Sequence, residues 1–400
     1  MRLPDDLAIR AANSTILLVV IDGLGGVPLP QTGDTELEAA RTPNLDRLAG
    51  RSSLGMLLPV APGITPGSGP AHLALFGYDP TEYVVGRGAL SALGVGFDLK
   101  PGDVAVRLNL ATLDRDGRIA DRRAGRPSDD EGRRIVGLLR DGVSLGGEAE
   151  FFLIHEKEHR VVLVLRGEGL GADIADTDPQ ETGVPPLPPR ALQPDSERTG
   201  GIVERFLSQA RELVRDEESI SGLLARGFAR YEGFPSLEER FGLSGLAVAR
   251  YPMYRGVARL VGMQIPGKPS SDQEAVSLME GQFGNAGFHF IHFKAPDARG
   301  EDRDFDAKVA AIEAVDTVIP RLAALGADVV VITGDHSTPA LLGAHSWHHV
   351  PVLLASDAAR PTGVSFTESE ARRGDLGVFE ARYLMSLMLA HADRLKKFGA

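Results

Sequence analysis

The feature that most constrains the fold of this 400-residue chain is a set of short apolar runs, each of which leads to an aspartate. These are Ile16–Ile21 before Asp22, Gly287–Phe293 before Asp297, and Val329–Ile332 before Asp335. Runs this short that lack regular polar alternation are typical of buried strands in a parallel sheet covered on both faces. The carboxyl ends of parallel strands meet at one edge of the sheet, where α/β proteins bind ligands. The sequence therefore predicts an α/β fold that gathers three carboxylates at that edge.

Several carboxylates at one edge favour a bound cation, because like charges raise each other's pKa and destabilise the fold. His336 follows Asp335 directly, and His345 lies in the same loop before a second apolar run, Val350–Ala355. Oxygen and imidazole ligands suit Mn, Mg, Fe or Zn, and two such ions about 3.5–4 Å apart form a clamp for in-line phosphoryl displacement. Taken alone, the Gly-Asp-His triplet is equally typical of a solvated turn.

Ser68 lies in a Gly- and Pro-rich loop, Pro59–Pro80, just before the helix-like stretch Ala71–Phe76. The amino terminus of a helix favours a phosphate group, and a metal-bound hydroxyl can ionise and attack phosphorus. On local sequence alone, an N-cap serine is the favoured interpretation. Ser68 becomes a candidate nucleophile only beside the predicted metal site.

Composition excludes several classes of protein. The formal net charge of -12 argues against nucleic-acid binding, and the absence of cysteine excludes disulfides, a thiolate nucleophile and Cys-ligated zinc. The amino terminus shows no signal-peptide pattern, and its apolar stretches are far shorter than the roughly 20 residues that a membrane helix needs. We therefore expect a soluble cytoplasmic protein that binds neither nucleic acid nor membrane.

The character of the chain changes in its middle third, which predicts two domains. We expect a discontinuous catalytic domain, 1–85 and 240–400, interrupted by a smaller α/β domain at 86–239. The inserted part contains strand-like runs at Phe151–Ile154 and Val161–Leu165, and an arginine-rich cluster with Arg122, Arg123 and Arg126. Such a cluster is usually a solvated face, although guanidinium groups also bind carboxylate and phosphate. Long helices are expected at Phe305–Leu325 and Phe379–Lys396.

Seven motifs, in chain order, carry a resemblance to a known family: VVIDGLGG, ARTPNLDRLA, TPGSGPAHLALFGYDP, DRRAGR, KAPD, TGDHSTP and HSWHHVPV. Together they resemble the archaeal-type cofactor-independent phosphoglycerate mutases of the alkaline phosphatase superfamily. The resemblance implies an alkaline-phosphatase-like core, with a mostly parallel sheet between helices and an inserted α/β lid domain. It also implies interconversion of 3-phosphoglycerate and 2-phosphoglycerate through a phosphoserine, with two divalent metals, usually manganese or magnesium, and no 2,3-bisphosphoglycerate.

Residue by residue, the resemblance assigns Ser68 as the nucleophile and as a ligand of one metal, together with Asp22, Asp335 and His336. Asp297 and His345 match ligands of the other metal. In the family's Asp-x-x-x-His pattern, this chain has Glu301 in place of the histidine. A carboxylate is a harder ligand than imidazole, so the change favours Mn or Mg over Zn at that site. For the substrate, the matching motifs contain Arg122, Arg123, Arg126, Arg226 and Arg255, and Lys294 is expected at the metal edge.

Three other functions are compatible with the same residues. Hydrolysis by a phosphatase or phosphodiesterase would result if water entered the site. A related phosphotransferase would act on another small hydroxy acid or on homoserine, and a metal-stabilised binding protein would lack catalysis altogether. In each enzymatic case the expected partner is a small phospho-acid, and the sequence leaves the oligomeric state open.

Overall fold

The computed structural model describes residues 5–361 and 363–399. The chain divides into two compact units, which we call unit 1 (Met1–Val84 with Phe234–Ala400) and unit 2 (Val85–Gly233). At Phe234, where unit 1 resumes, the ring lies near Tyr78 and Tyr83 of the same unit, with centroids 6.4 and 5.3 Å away. Within the described residues, no helix is both long enough and apolar enough to cross a membrane.

The strands, in chain order, are β1 (Ile16–Ile21), β2 (Ser53–Leu58), β3 (Val104–Leu113), β4 (Ile119–Asp121), β5 (Glu150–Lys157), β6 (Arg160–Arg166), β7 (Gly222–Arg230), β8 (Gly245–Ala249), β9 (Phe288–Phe293), β10 (Val329–Thr333), β11 (Val350–Ala355) and β12 (Gly377–Glu380).

The α-helices, in chain order, are α1 (Glu36–Ala39), α2 (Pro43–Ala49), α3 (Ser68–Leu75), α4 (Arg87–Val95), α5 (Asp129–Gly142), α6 (Glu197–Leu213), α7 (Leu237–Phe241), α8 (Pro252–Leu260), α9 (Asp272–Gln282), α10 (Ala295–Glu301), α11 (Phe305–Asp316), α12 (Ile319–Ala323), α13 (Glu368–Ala371) and α14 (Leu384–His391).

Unit 1 is built on a sheet with the strand order β12-β2-β11-β10-β1-β9-β8. Strand β1 lies between β10 and β9 and is parallel to both, and β8 is parallel to β9. Only β11 runs antiparallel to its neighbours within this described sheet. All six residues of β1 are buried, as expected for a central strand covered on both faces. The predicted mostly parallel α/β fold is confirmed, and β1, β9 and β10 end at the same edge.

Two helix predictions need correction. The expected helix Phe305–Leu325 is divided into α11 and α12, because Pro320 cannot donate a backbone hydrogen bond and occupies the first turn of the second helix. The expected final helix Phe379–Lys396 is wrong at its beginning, since Phe379 belongs to β12 and pairs with Leu57 of β2. The helical part of that segment is α14, preceded by a 3-10 helix at Ala381–Tyr383.

Unit 2 contains an antiparallel sheet with the order β4-β3-β6-β5. Strand β7 also pairs with β3, along the edge opposite to β6. Alternate residues of β3, such as Val106 and Leu108, join α5 and α6 in one hydrophobic core. Helix α4 also contacts β3 and β7 but contributes no residue to that core cluster, so it covers the opposite face of the sheet. Gly88 in its first turn allows the close approach, since a Cβ there would lie 2.2 Å from the Ala105 carbonyl oxygen.

Candidate metal centre

Three parallel strands deliver three buried aspartates to one edge of the unit 1 sheet. Asp22 directly follows β1, Asp335 follows β10 after one glycine, and Asp297 lies in the first turn of α10 after β9. Each is at most 1% exposed. Because β9, β1 and β10 are adjacent and parallel, their carboxyl ends bring Asp22 together with two aspartates that lie hundreds of positions later in the sequence.

The first group of potential ligands consists of Asp22, Asp335 and His336, whose ligand atoms all lie within 4.8 Å of one another. His336 Nε2 is 3.1 Å from Asp335 Oδ2 and 3.5 Å from Asp22 Oδ1. Ser68 Oγ lies 3.2 Å from the same nitrogen. Gly67, not Ser68, is the N-cap of α3, so this helix has no side-chain cap. The hydroxyl therefore faces the ligand group instead of closing the helix.

The second group consists of Asp297, His336 and His345. His345 Nε2 is 3.4 Å from Asp297 Oδ1, and the two imidazole rings stack with centroids 3.7 Å apart. His345 Nδ1 lies 3.0 Å from the Pro66 carbonyl oxygen, which leaves Nε2 directed towards Asp297. Glu301 is more peripheral: its side chain is 55% exposed, and its Oε1 is 3.8 Å from His345 Nε2.

The residues present fit divalent metal ions. Asp22 Oδ1 and Asp335 Oδ2 are fully buried, yet neither accepts a hydrogen bond from any described residue. A buried carboxylate oxygen without a donor is costly unless a cation contacts it. Carboxylate oxygens, imidazole nitrogens and a hydroxyl match the ligand preferences of Mn²⁺ and Mg²⁺, and also allow Zn²⁺.

Lys294 supplies positive charge to this edge. Its Nζ is 3.1 Å from Asp22 Oδ2 and also forms an ion pair with Asp297. Burial lowers the pKa of Lys294, but the charges of Asp22 and Asp297 outweigh burial and raise it above its ordinary value. The ammonium group is thus charged at neutral pH and neutralises part of the carboxylate cluster.

The three aspartates differ in their affinity for a proton. Burial opposes ionisation of Asp22, but Lys294 and His292 hold its pKa well below the usual range. For Asp297, burial and the charge of Asp22 act upwards, while the hydrogen bond from His345 and the charge of Lys294 lower its pKa to about 2. Burial, followed by the charges of Asp22 and Asp297, raises the pKa of Asp335 well above normal. The negative charge is therefore concentrated on Asp22 and Asp297.

His336 and His72 are neutral in this environment. Burial lowers the pKa of each to about 3. His72 Nδ1 lies 2.8 Å from the Ser68 carbonyl oxygen, one turn earlier in α3, and 3.3 Å from Asp335 Oδ2. A neutral imidazole is the form that binds metal. His336 meets this requirement, while His72 is placed to hold the α3 amino terminus.

Sequence reasoning missed three residues that support the ligands. Tyr254 in α8 donates a hydrogen bond to Asp22 Oδ2, and its ring stacks on His292 of β9 at 3.6 Å. Thr338 Oγ1 donates to Asp297 Oδ1 at 2.6 Å and lies 3.0 Å from His336 Nδ1, which directs Nε2 of that histidine to the other ligands. One signal was visible: His292 is an ionisable residue in a strand whose six residues are all buried.

The arginines singled out from the sequence are not all in one place. Arg122 forms two hydrogen bonds of 2.8 Å with the carboxylate of Asp178, and Arg226 Nη1 contacts the same carboxylate at 3.3 Å. Arg123 and Arg126 lie in the adjoining loop, where the Asp121 carboxylate accepts the backbone N–H of Arg123. Arg255 is in unit 1, is buried, and donates to the carbonyl oxygens of Ala249 and Arg250.

The fold and the site together define a class: α/β proteins in which one sheet edge carries an oxygen- and imidazole-rich centre beside a serine at a helix amino terminus. The family model of 2,3-bisphosphoglycerate-independent phosphoglycerate mutase matches residues 49–219. A Thermus thermophilus protein with the name "Probable 2,3-bisphosphoglycerate-independent phosphoglycerate mutase" is 51% identical over 97% of this chain and 96% of its own length. A Deinococcus radiodurans protein of the same name is 47% identical over 98% and 97% of the two chains.

Solved structures agree with these relatives. A Pyrococcus horikoshii protein superposes with a TM-score of 0.84 at 30% identity, covering 98% of this chain and 100% of its own. The cofactor-independent phosphoglycerate mutase from Thermoplasma acidophilum has a TM-score of 0.71 at 29% identity, covering 95% and 100%. The chain belongs to the 2,3-bisphosphoglycerate-independent phosphoglycerate mutase family, which confirms the resemblance seen in its motifs.

Proposed function

We propose that this protein interconverts 3-phosphoglycerate and 2-phosphoglycerate, with Ser68 carrying the phosphoryl group between the two oxygens. One observation carries the proposal: Ser68 Oγ lies at the amino terminus of α3, 3.2 Å from His336 Nε2, and Gly67, not Ser68, is the N-cap of that helix. A hydroxyl in this position has a phosphate-binding helix terminus behind it and potential metal ligands beside it. Family membership supports the choice of substrate.

The proposed ligand set is Ser68, Asp22, Asp335 and His336 for one ion, and Asp297, His345 and Glu301 for the other. Two divalent ions, manganese or magnesium in preference to zinc, would lower the pKa of the serine hydroxyl and neutralise the phosphoryl oxygens. Glu301 Oε1 is 3.8 Å from His345 Nε2, a separation that two ligands of one ion can have. The family's independence of 2,3-bisphosphoglycerate is consistent with an enzyme-bound phosphoryl group.

The reaction consists of two phosphoryl transfers of the same kind. In the first, Ser68 Oγ gives up its proton and bonds to phosphorus while the bond between phosphorus and the C3 oxygen breaks, and the C3 oxygen takes up one proton. Glycerate then reorients, its C2 hydroxyl loses a proton as its oxygen attacks the phosphoserine, and the Oγ–P bond breaks with one proton returning to Ser68 Oγ. The two ester oxygens are chemically similar, so catalysis depends on positioning and on charge neutralisation at phosphorus.

Substrate binding is assigned to cationic side chains. In this proposal Arg122, Arg123, Arg126 and Arg226 of unit 2 hold the carboxylate of glycerate, and the role of a substrate-binding lid belongs to unit 2. Lys294 assists at the metal edge. Arg255 of unit 1, whose guanidinium group donates to the Ala249 and Arg250 carbonyl oxygens, is included with Lys294.

Phosphorus NMR of the purified protein with 3-phosphoglycerate and Mn²⁺ tests the proposal. We expect metal-dependent formation of 2-phosphoglycerate without inorganic phosphate, and loss of this reaction on addition of a chelator. Release of phosphate alone would establish hydrolysis instead, and no reaction would direct the search to other phospho-acids such as phosphohomoserine.

Ser68→Ala should reduce turnover by at least about a thousandfold, because it removes the attacking oxygen. The matched control is Ser52→Ala, which deletes another buried hydroxyl of unit 1 that donates to the Leu48 carbonyl oxygen at 2.7 Å. That variant should retain activity wherever it is folded. Unchanged turnover in Ser68→Ala would eliminate every mechanism through a phosphoserine at this position.

A further inference from the structure

Unit 1 contains a completely buried lysine. Lys308 of α11 has no exposed surface, and its Nζ donates hydrogen bonds to the carbonyl oxygens of Gly25 and Thr338, at 3.1 and 2.9 Å. Glu36 Oε2 lies 3.6 Å from the same nitrogen, and Glu36 is as deeply buried as the lysine. Lysine is almost never fully buried unless it is paired, because an ammonium group loses its hydration inside a protein. A lysine at this position therefore needs a reason beyond filling space.

The two carbonyl oxygens belong to loops that follow two of the aspartate-bearing strands. Gly25 lies three residues after Asp22, in the loop that follows β1. Thr338 lies three residues after Asp335, in the loop that follows β10. The backbone N–H of Thr338 also donates to the Gly25 carbonyl oxygen at 3.1 Å. Both backbone polar groups of Thr338 are thus engaged, and Lys308 joins the two loops from α11.

Thr338 connects this restraint to the second ligand group. Its Oγ1 donates to Asp297 Oδ1 at 2.6 Å and lies 3.0 Å from His336 Nδ1. Helix α10, which carries Asp297, packs against the same threonine: a Cβ at Gly300 would lie 2.1 Å from the Thr338 carbonyl oxygen. The positive charge of Lys308 also acts on Asp297. The lysine therefore influences the second ligand group both through Thr338 and through its charge.

Glu36 restrains the same loop two residues further on. Its Oε1 accepts the backbone N–H of Ala340 at 2.7 Å, whereas Oε2 has no hydrogen-bond donor within the described residues. Lys308 Nζ, 3.6 Å away, offsets the charge on this oxygen. A buried ion pair often contributes little to stability, because both charges lose hydration on burial. Stability alone is thus a poor explanation for the pair.

We propose that Lys308 is a positioning residue for the metal centre: with Glu36 as its counter-ion, it fixes the Thr338 loop against the loop after β1 and so sets the separation of the two ligand groups. The lysine acts through Thr338 and binds neither ion itself. This role rests on the proposed function for the presence of two divalent ions, but not for the substrate or the phosphoserine.

Mn²⁺ titration of the full chain, followed by electron paramagnetic resonance, tests the proposal. The signal of a magnetically coupled Mn²⁺ pair requires both ligand groups to be occupied, so it reports the weaker site. Lys308→Met combined with Glu36→Gln, which we call the neutral variant, removes both charges and leaves neither buried charge unpaired. We expect it to unfold cooperatively in denaturant, but to need about tenfold or more Mn²⁺ for the pair signal, the usual effect of losing a group that supports metal ligands. An unchanged titration would overturn the proposal.

A double-mutant cycle with Thr338→Val separates positioning from a general effect on the fold. Thr338→Val removes the hydroxyl that donates to Asp297 and should itself weaken Mn²⁺ binding about tenfold. If Lys308 acts through Thr338, the neutral variant with Thr338→Val added should lose about as much affinity as either change alone. Losses that multiply to about a hundredfold would show independent effects and would overturn the proposal.

The matched control is Arg240→Met combined with Asp5→Asn. Arg240 of α7 is another largely buried cation of unit 1: it donates to the Gly77 carbonyl oxygen at 2.8 Å and forms an ion pair of 2.8 Å with Asp5. This control variant should keep the wild-type Mn²⁺ titration. An equal loss of Mn²⁺ affinity in the control and in the neutral variant would indicate a general loosening of unit 1 and would overturn the proposal.

Phosphorus NMR on the same proteins distinguishes this proposal from the proposed function. A Mn²⁺ pair that depends on Lys308, in a wild-type protein that does not convert 3-phosphoglycerate, would refute the proposed function alone. Metal-dependent mutase activity in wild type, with unaltered Mn²⁺ affinity in the neutral variant, would refute the positioning role alone. Failure of wild type to bind Mn²⁺ would refute both.

Discussion

Replacing Tyr254 with phenylalanine removes one hydroxyl beneath the candidate metal centre and leaves the ring in place. The hydroxyl donates to Asp22 Oδ2, and the ring stacks on His292. Burial and the charge of Asp22 raise the pKa of Tyr254 well above its ordinary value, so the hydroxyl remains a donor at neutral pH. The substitution therefore tests whether this donor orients Asp22 as a ligand.

The size of the effect follows from what remains around Asp22. A hydrogen bond to a charged group contributes about 1.5–3 kcal/mol. Lys294 Nζ and His292 Nε2 still lie 3.1 and 3.2 Å from the same oxygen after the change, so we expect the lower end, about 1.5 kcal/mol. An equal loss in metal binding corresponds to roughly tenfold weaker affinity, at the lower end of the range for residues that support metal ligands.

Two assays measure the two parts of this prediction. Mn²⁺ affinity is measured by calorimetry or electron paramagnetic resonance, and stability by denaturant unfolding of the metal-free protein. The matched control is Tyr78→Phe, which also deletes a buried hydroxyl of unit 1, one that donates to the Pro235 carbonyl oxygen at 2.6 Å. Tyr78→Phe should cost about 1 kcal/mol of stability without a change in Mn²⁺ affinity.

The reasoning is refuted if Tyr254→Phe binds Mn²⁺ as tightly as wild type while its stability falls as expected. That result would mean that Lys294 and His292 suffice to orient Asp22, and that Tyr254 only fills space. A loss of affinity of similar size in both variants would point to a general loosening of unit 1.

Two further predictions concern acidic residues. Burial raises the pKa of Glu368 to about 7 from 4.5, so its folded state binds a proton more tightly than the unfolded chain. Its contribution to stability is present below about pH 4.5 and lost as pH rises through about 7, a change of roughly 1.4 kcal/mol in the free energy of unfolding for each pKa unit. The free energy of unfolding of Glu368→Gln should not show this decline. Parallel pH profiles of wild type and variant would contradict the prediction. Glu301→His should raise Zn²⁺ affinity relative to Mn²⁺ about tenfold or more in chelator competition, because imidazole is the softer ligand, and an unchanged ratio would show that residue 301 is not a ligand.

The local sequence pattern was sufficient to predict the strands that lead to the candidate site. The run Ile16–Ile21 is a strand with those bounds, and Val350–Ala355 is another. Both are continuous apolar segments bounded by polar residues, so their length and burial follow from local composition. The single helix expected at Phe305–Leu325 was wrong because periodicity was given more weight than Pro320, although that proline was visible in the sequence.

The roles of individual polar side chains were harder to infer. Arg255 and Arg226 lie in similar short motifs, yet Arg255 is buried against carbonyl oxygens of its own unit, whereas Arg226 faces Arg107 across a strand pair. The surroundings of each arginine depend on the elements that pack against it and on their register. Nothing within a few residues of either arginine encodes those elements.

The sequence by itself determined the fold class and the approach of three aspartates to one sheet edge, because apolar runs select buried strands and parallel strands share an edge. The tertiary structure alone decided which donors surround those carboxylates. Tyr254 reaches Asp22 across 232 positions of sequence, and Thr338 reaches Asp297 across 41. Hydrogen bonds act over about 3 Å of space. Hydrogen bonds between residues far apart in sequence therefore cannot be predicted from the sequence pattern, because only the fold brings the two partners together.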